Sequence, residues 1–241
     1  MREISRLLTI KEVFFLNLGY ISVQDRAKAM PIPYLIWSKI DLFLIQEIVW
    51  NYGAGVAGRL FFSPRNEKWL WYVKDQKNYT FNLDDVRDPN VKYPNQKKNG
   101  KLKCNPLGKN PTDVWQIPKV TSGKDRSSDE RTAHPAQFPV DLISRILLAC
   151  SNQGDIVLDP FAGSGSLLEA ALLTGRKAIG LEIEPRYVDI ARKRLEALRQ
   201  RPNDETRQTN LFLPSRLGLL AQSKQNKRMD AIRLVQRRAP T

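Results

Sequence analysis

Histidine and cysteine are almost absent from this 241-residue chain, which holds one histidine, His134, and two cysteines, Cys104 and Cys150. A lone histidine gives little support to a histidine-based metal site or to a Ser-His-Asp triad. The cysteines lie far apart without metal-type spacing, which argues against a disulfide framework and for a reducing compartment. Acid is also scarce: 25 Asp and Glu stand against 39 Lys and Arg, a formal charge of +14. No apolar run is long enough to span a bilayer, and the charged N-terminus lacks the shape of a signal peptide. The expectation is a cytoplasmic protein with no membrane partner and no metal.

What is present suffices for a core, since 41% of residues are hydrophobic. The length fits one large domain, or one domain with an insertion. A basic excess of this size points to a polyanionic partner, most often nucleic acid. Plain solubility, or a ribosomal or membrane-surface habit, produces the same excess.

The most informative string is Val157-Leu158-Asp159-Pro160-Phe161-Ala162-Gly163-Ser164-Gly165. It reads as a buried strand ending in an acid and a glycine-rich turn. A helix pattern follows over 166–174, then a second strand over 177–182 with Glu182 at its tip. Strand, glycine turn, helix, strand and acid make half of a nucleotide-binding α/β unit. Gly163 and Gly165 allow a sharp turn and close approach to a ligand. The spacing is not G-x-G-x-x-G, and no Lys-Ser/Thr follows the turn, which argues against a P-loop.

Elsewhere the pattern predicts a short helix at 2–8, a strand at 19–23 and a helix over 34–45 opened by Pro31 and Pro33. An antiparallel pair is expected from 46–52 and 68–73, joined by the loop 53–65. The stretch 74–133 is polar and lysine-rich, with Tyr79, Phe81, Tyr93 and Trp115 among its few large apolar residues. Amphipathic helices are expected at 139–150 and 187–199. Beyond Arg201 the chain is polar and basic, and a loosely ordered tail is expected. The glycine-turn unit comes late, after strands and a polar insertion, so the order is permuted.

Asp159 to Gly165 closely resembles the S-adenosylmethionine loop of amino-methylating DNA methyltransferases. The likeness extends over about residues 2–199 and is to the β-class, in which the catalytic half precedes the cofactor half. Glu47-Ile48-Val49-Trp50-Asn51-Tyr52 and Phe62-Ser63-Pro64-Arg65-Asn66-Glu67 resemble the strand and loop near the target base. Asn78-Tyr79-Thr80-Phe81-Asn82 and Asn110-Pro111-Thr112-Asp113-Val114-Trp115 resemble target-recognition segments of adenine-specific members. His134-Pro135-Ala136-Gln137-Phe138-Pro139 resembles the motif that precedes the cofactor loop. The resemblance implies a Rossmann-like S-adenosylmethionine-dependent methyltransferase sheet in permuted order, with an inserted target-recognition region. It divides the chain into a catalytic-side half (1–73), the insertion (74–133), an S-adenosylmethionine-binding half (134–200) and the tail (201–241).

The resemblance also implies roles. Asp159, Phe161, Ala162, Gly163 and Gly165 would shape the pocket for the methionine part and sulfonium. Glu182 would accept the ribose hydroxyls, and Ile183 would pack on the adenine ring. His134, Gln137 and Pro139 would close the pocket, with a turn or capping role as the alternative for His134. Arg65, Lys97, Lys98, Lys101, Lys103 and Trp115 would meet double-stranded DNA. A solvated loop explains the lysines nearly as well, and Trp115 reads equally as a core anchor. The setting implied is a bacterial or phage restriction-modification or orphan methylase.

One part of the family pattern is missing. The catalytic Asp/Asn/Ser-Pro-Pro-aromatic motif holds the amino group of a flipped base, and no such string occurs in the sequence. Met30-Pro31-Ile32-Pro33-Tyr34 comes nearest but reads as a helix start. The pattern places the motif upstream of Arg2, on a strand between the one at Val157 and the one at Tyr20. The expectation is an N-terminally shortened enzyme, poorly stable and inactive alone, complemented by another chain or acting as a homodimer. Adenine N6 is the expected target. N4-cytosine methylation, a non-catalytic DNA- or S-adenosylmethionine-binding subunit, and an RNA methyltransferase are the alternatives.

Overall fold

The computed structural model describes residues 2–55, 57–120 and 130–200, and the backbone of 232–236. The chain clusters into two compact units, Met1–Thr80 with Thr112–Arg131, and Phe81–Pro111 with Thr132–Thr241. The polar stretch 74–133 is thus divided between them. In chain order the elements are α1 (Arg2–Leu7), β1 (Val13–Leu18), β2 (Tyr20–Val23), β3 (Ala27–Pro31), α2 (Pro33–Ile36), β4 (Phe43–Asn51) and β5 (Asn66–Val73). There follow β6 (Lys97–Lys98), β7 (Lys101–Leu102), β8 (Val114–Gln116), α3 (Val140–Cys150), β9 (Ile156–Asp159), α4 (Ser166–Thr174), β10 (Lys177–Glu182), α5 (Pro185–Gln200) and β11 (Ile232–Gln236).

The first unit is built on a sheet in the order β1-β5-β4-β8. The expected antiparallel pair forms, with Asn51 opposite Asn66 and Phe43 opposite Val73, and a bulge between Leu44 and Gln46. β5 is central, and its last five residues, Trp69 to Val73, are buried. That is why its sequence reads as a continuous apolar run instead of an alternation. Register with β1 is held by aromatic pairs that face each other directly, Phe15 on Trp71 and Phe14 on Tyr72, at centroid separations of 5.7 and 6.1 Å. Cross-strand pairs of this kind contribute about 0.2–1 kcal/mol each.

One expected helix is corrected. Over 34–45 only the first turn is helical, from Pro33 to Ile36, followed by a 3-10 turn at Trp37–Lys39, and strand β4 begins at Phe43. Pro33 starts the helix as a proline at the first helical position should. The apolar spacing beyond it does not face a core, since Tyr34 and Trp37 are 78% and 63% exposed. The β-branched and aromatic run from Phe43 instead pairs with β5, so tertiary pairing overrides the local period.

The second unit holds the parallel trio β11-β10-β9. Asp159 of β9 lies opposite Gly180 of β10, and Glu182 lies opposite Gln236 of β11. α4 and α5 pack on β10, and α3, buried along nearly all its length, packs against α4. A Cβ on Gly180 would sit 3.0 Å from both Ala162 and Leu168, so the absence of a side chain lets the loop and α4 rest directly on β10. The loosely ordered tail is corrected at Ile232–Gln236, which forms a strand; the pairing with β10 favours order there. The rest of that tail lies outside the described residues. Among the described residues β9 pairs with β10 alone, and Ile156 and Leu158 on it are 63% and 41% exposed. No helix of the described residues is long and apolar enough to cross a membrane.

Candidate functional site

The carboxyl ends of β9 and β10 carry a loop that is clamped from several sides. Asp159 Oδ1 accepts the Phe161 N–H at 3.0 Å, an Asx-type contact that starts the turn. The Ala162 N–H donates to the Leu181 carbonyl at 2.9 Å, and the Gly165 N–H to the Ala162 carbonyl at 2.8 Å. Gly163 and Gly165 have φ of +51° and +79°, the left-handed region where an L side chain is costly. Space is also tight at both positions. A Cβ on Gly163 would lie 2.8 Å from His134 Nε2, and one on Gly165 would lie 3.0 Å from the Ala191 Cβ.

Glu182, at the tip of β10, is buried beneath this loop. Its Oε2 accepts the Gly163 N–H at 2.8 Å, and its Oε1 accepts the N–H groups of Ile183 and Glu184 at 2.8 and 2.9 Å. A carboxylate offers about four acceptor sites, so in this arrangement Glu182 keeps room for about one further donor. Asp159 feels this neighbour. Burial pushes its pKa up, the Phe161 N–H pulls it down, and the Glu182 charge pushes it up again. Asp159 and Glu182 place two carboxylates on adjacent strand ends, and Phe161 and Ile183 beside them are 80% and 53% exposed.

His134 stands against the loop. Its Nδ1 accepts the Ala136 N–H at 3.2 Å, and its ring meets Tyr187 edge-on at 4.3 Å. Burial lowers its pKa first; Glu182 opposes this and Arg186 adds to it. The contact with Ala136 satisfies the turn role, and the approach to Gly163 places the same ring beside the loop. Gln137 is buried, and its Oε1 accepts both the backbone N–H and the hydroxyl of Thr132 at 2.9 Å. Pro139, also buried, precedes α3. Gln137 and Pro139 therefore sit behind the turn that presents His134.

Sequence reading missed the brace behind the loop. Arg194 of α5 forms an ion pair with Glu169 of α4, the two side chains being 9% and 5% exposed. Its Nη1 reaches the Ser166 hydroxyl at 3.1 Å and the Ser164 carbonyl at 3.4 Å. The Ser166 hydroxyl in turn donates to the Phe138 carbonyl at 2.7 Å. A signal existed: Glu169 interrupts the apolar run Leu167-Leu168-Glu169-Ala170-Ala171, and a carboxylate there requires a cation. Which of the basic residues of α5 answers it is a matter of three-dimensional reach.

Of the residues expected to meet nucleic acid, the structure groups four. Lys97, Lys98, Lys101 and Lys103 all lie exposed on the β6–β7 hairpin or just after it, in the second unit. Asn99 and Gly100, both at positive φ, form its turn. Arg65 and Trp115 belong to the first unit. The Arg65 guanidinium donates to the Gly53 carbonyl at 2.9 Å. Trp115 is 9% exposed and its indole N–H donates to the Thr112 carbonyl at 2.9 Å. Its placement is that of a core anchor on β8, and its ring face is not offered to a base in this arrangement.

A family model described as DNA methylase matches residues 1–193. Type II methyltransferase M.ScaI of Streptomyces caespitosus is 62% identical over 197 residues, which cover 82% of this chain and 65% of that protein. DNA adenine methyltransferase YhdJ of Escherichia coli (strain K12) is 38% identical over 185 residues, 74% of this chain and 60% of its own. The chain therefore spans less than two thirds of the length of these curated relatives. Among solved structures, the M1.HpyAVI–SAM complex aligns with a TM-score of 0.52 at 24% identity, over 79% of this chain and 78% of that one. That likeness shows the α/β fold.

Proposed function

The chain belongs to the DNA methylase family, and we propose that it carries the cofactor-binding and DNA-facing parts of an enzyme that methylates the exocyclic N6 of adenine in double-stranded DNA. The observation that carries the cofactor reading is the pair of carboxylates, Asp159 and Glu182, set beside a loop that a Cβ would obstruct. S-adenosylmethionine is cationic at its sulfonium and amino groups and has a flat apolar base. Two carboxylates, a side-chain-free turn and the exposed apolar Phe161 and Ile183 suit that ligand. When bound it supplies an electrophilic methyl group. The residues of this chain bind and orient it, and His134 shields one side of the loop.

Glu182 has one acceptor position in hand, so taking both hydroxyls of a ribose means sharing or releasing the Gly163 N–H. Transfer also needs a group that holds the base's amino nitrogen in line, an effect of positioning and desolvation. The sequence has no Asp/Asn/Ser-Pro-Pro-aromatic string to do this. Among the described residues β9 pairs with β10 alone, and its exposed Ile156 and Leu158 support a catalytic strand contributed by a complementing chain. YhdJ, named as an adenine methyltransferase, supports adenine as the target. The matched family covers N6 and N4 methylation alike, so N4 of cytosine is the second reading.

The test is transfer of labelled methyl from S-adenosylmethionine to unmethylated DNA, with the product base identified. The expected result is no label from the folded chain alone, and label in N6-methyladenine once a chain carrying the catalytic strand is added. Label in N4-methylcytosine would replace the adenine reading. Label from the chain alone would overturn the division of labour.

A further inference from the structure

The loop between β4 and β5 is the other unusual feature of the first unit. Its base is fastened. The Tyr52 N–H donates to the Arg65 carbonyl at 3.1 Å, the Gly53 N–H to Asn51 Oδ1 at 3.0 Å, and the Arg65 guanidinium to the Gly53 carbonyl at 2.9 Å. Higher up, the Gly58 N–H donates to the Ser63 hydroxyl at 2.6 Å, which closes a tip of four residues, Arg59-Leu60-Phe61-Phe62. Phe61, 48% exposed, lines with Tyr20, Ile21, Lys28 and Pro64 a cleft of about 320 Å³ against the β2–β3 hairpin. Leu60 and Phe62 turn outward and are 97% and 101% exposed.

A turn held at base and neck that presents two large apolar side chains wholly to water is built for contact with something. Charge identifies the occupant. Residues 51–66 contain no Asp or Glu and two arginines, Arg59 on the tip and Arg65 at the base. Apolar side chains flanked by arginine are the means by which proteins wedge between base steps while cations meet the flanking phosphates. We infer that Leu60 and Phe62 form a wedge that enters duplex DNA at a base step, with Arg59 on the adjacent phosphate. This rests on the reading of the chain as DNA-acting, and it assigns to two side chains the unstacking that access to a base in a duplex requires.

The test uses the full chain, the double variant Leu60→Ala/Phe62→Ala, and Arg59→Ala. Duplex binding is followed by fluorescence anisotropy, and unwinding by the topoisomer distribution of a plasmid relaxed with a topoisomerase in the protein's presence. The wild-type chain should shift the distribution toward unwound species. The double variant should lose that shift and bind duplex about tenfold more weakly, while Arg59→Ala weakens binding and flattens its salt dependence. A double variant that unwinds like the wild type overturns the wedge. A wild-type dimer that becomes monomeric in the double variant, by sedimentation, assigns the tip to self-association and also overturns it. A wild-type chain that binds S-adenosylmethionine but no duplex removes the DNA reading and the wedge with it, and leaves the cofactor site standing.

Discussion

Two loops of this molecule, 160–165 and 52–65, are glycine-containing, yet they are finished in opposite ways. The first is closed: its N–H groups at Phe161, Ala162, Gly163 and Gly165 all have partners, and a buried ion pair braces it from behind. The second is fastened below and open above, with two apolar side chains in water. A closed turn with carboxylates beside it suits a small cationic ligand that must be held in one pose. An open basic tip suits a large, flat, anionic partner. The lesson is that glycine content alone does not distinguish a pocket from a probe; what the backbone N–H groups are bonded to does.

The most damaging change to the closed loop should be Arg194→Met. It removes the Arg194 charge from beside the buried Glu169, and breaking a buried ion pair costs about 3–5 kcal/mol, read by chemical denaturation. Adding Glu169→Gln should recover much of the loss. Stability of the single variant within about 0.5 kcal/mol of wild type would mean that the brace is not structural. Next, Gly163→Ala forces an L residue into left-handed backbone at about 1–2 kcal/mol and presses on His134. S-adenosylmethionine affinity by calorimetry should fall with it, whereas Gly53→Ala at the open loop, where nothing lies within 4 Å of the added Cβ, should leave that affinity unchanged.

Asp159→Asn separates stability from binding. The amide oxygen can still accept the Phe161 N–H, but the buried charge is gone. Because the folded state raises the pKa of Asp159, its contribution to stability is fully present below the unfolded pKa and is lost as pH rises through the folded value. At neutral pH the variant should therefore melt higher than wild type, and the gap should narrow as pH falls. Its affinity for the cationic cofactor should fall roughly tenfold, about 1.4 kcal/mol. Smallest of all, Leu60→Ala/Phe62→Ala should change stability by less than about 0.5 kcal/mol, since neither side chain is packed; a larger loss in a thermal melt would place the tip in the core.

Much of the closed loop was legible in sequence because its requirements are local. Asp159, the two glycines and Glu182 occupy fixed offsets along a strand-turn-helix-strand pattern, and β9, α4 and β10 stand where that pattern puts them. The residues that escaped notice act at long range: Arg194 reaches Glu169 from 25 positions away, and β11 joins the sheet from beyond residue 230. The segment over 34–45 misled because its apolar residues repeat at a helical period while its last three residues belong to the strand that pairs with β5. Trp115 carried no sequence signal to choose between core and interface; its burial on β8 came from the parallel pairing with β4.

Calorimetric titration of the full chain with S-adenosylmethionine decides whether the loop over Asp159–Gly165, with Glu182, binds that compound. One-to-one binding is expected, weakening as pH falls through the raised pKa of Asp159 and about tenfold weaker in Asp159→Asn, with circular dichroism unchanged. A folded chain that binds none, or binds equally well after Asp159→Asn and Glu182→Gln, would contradict it.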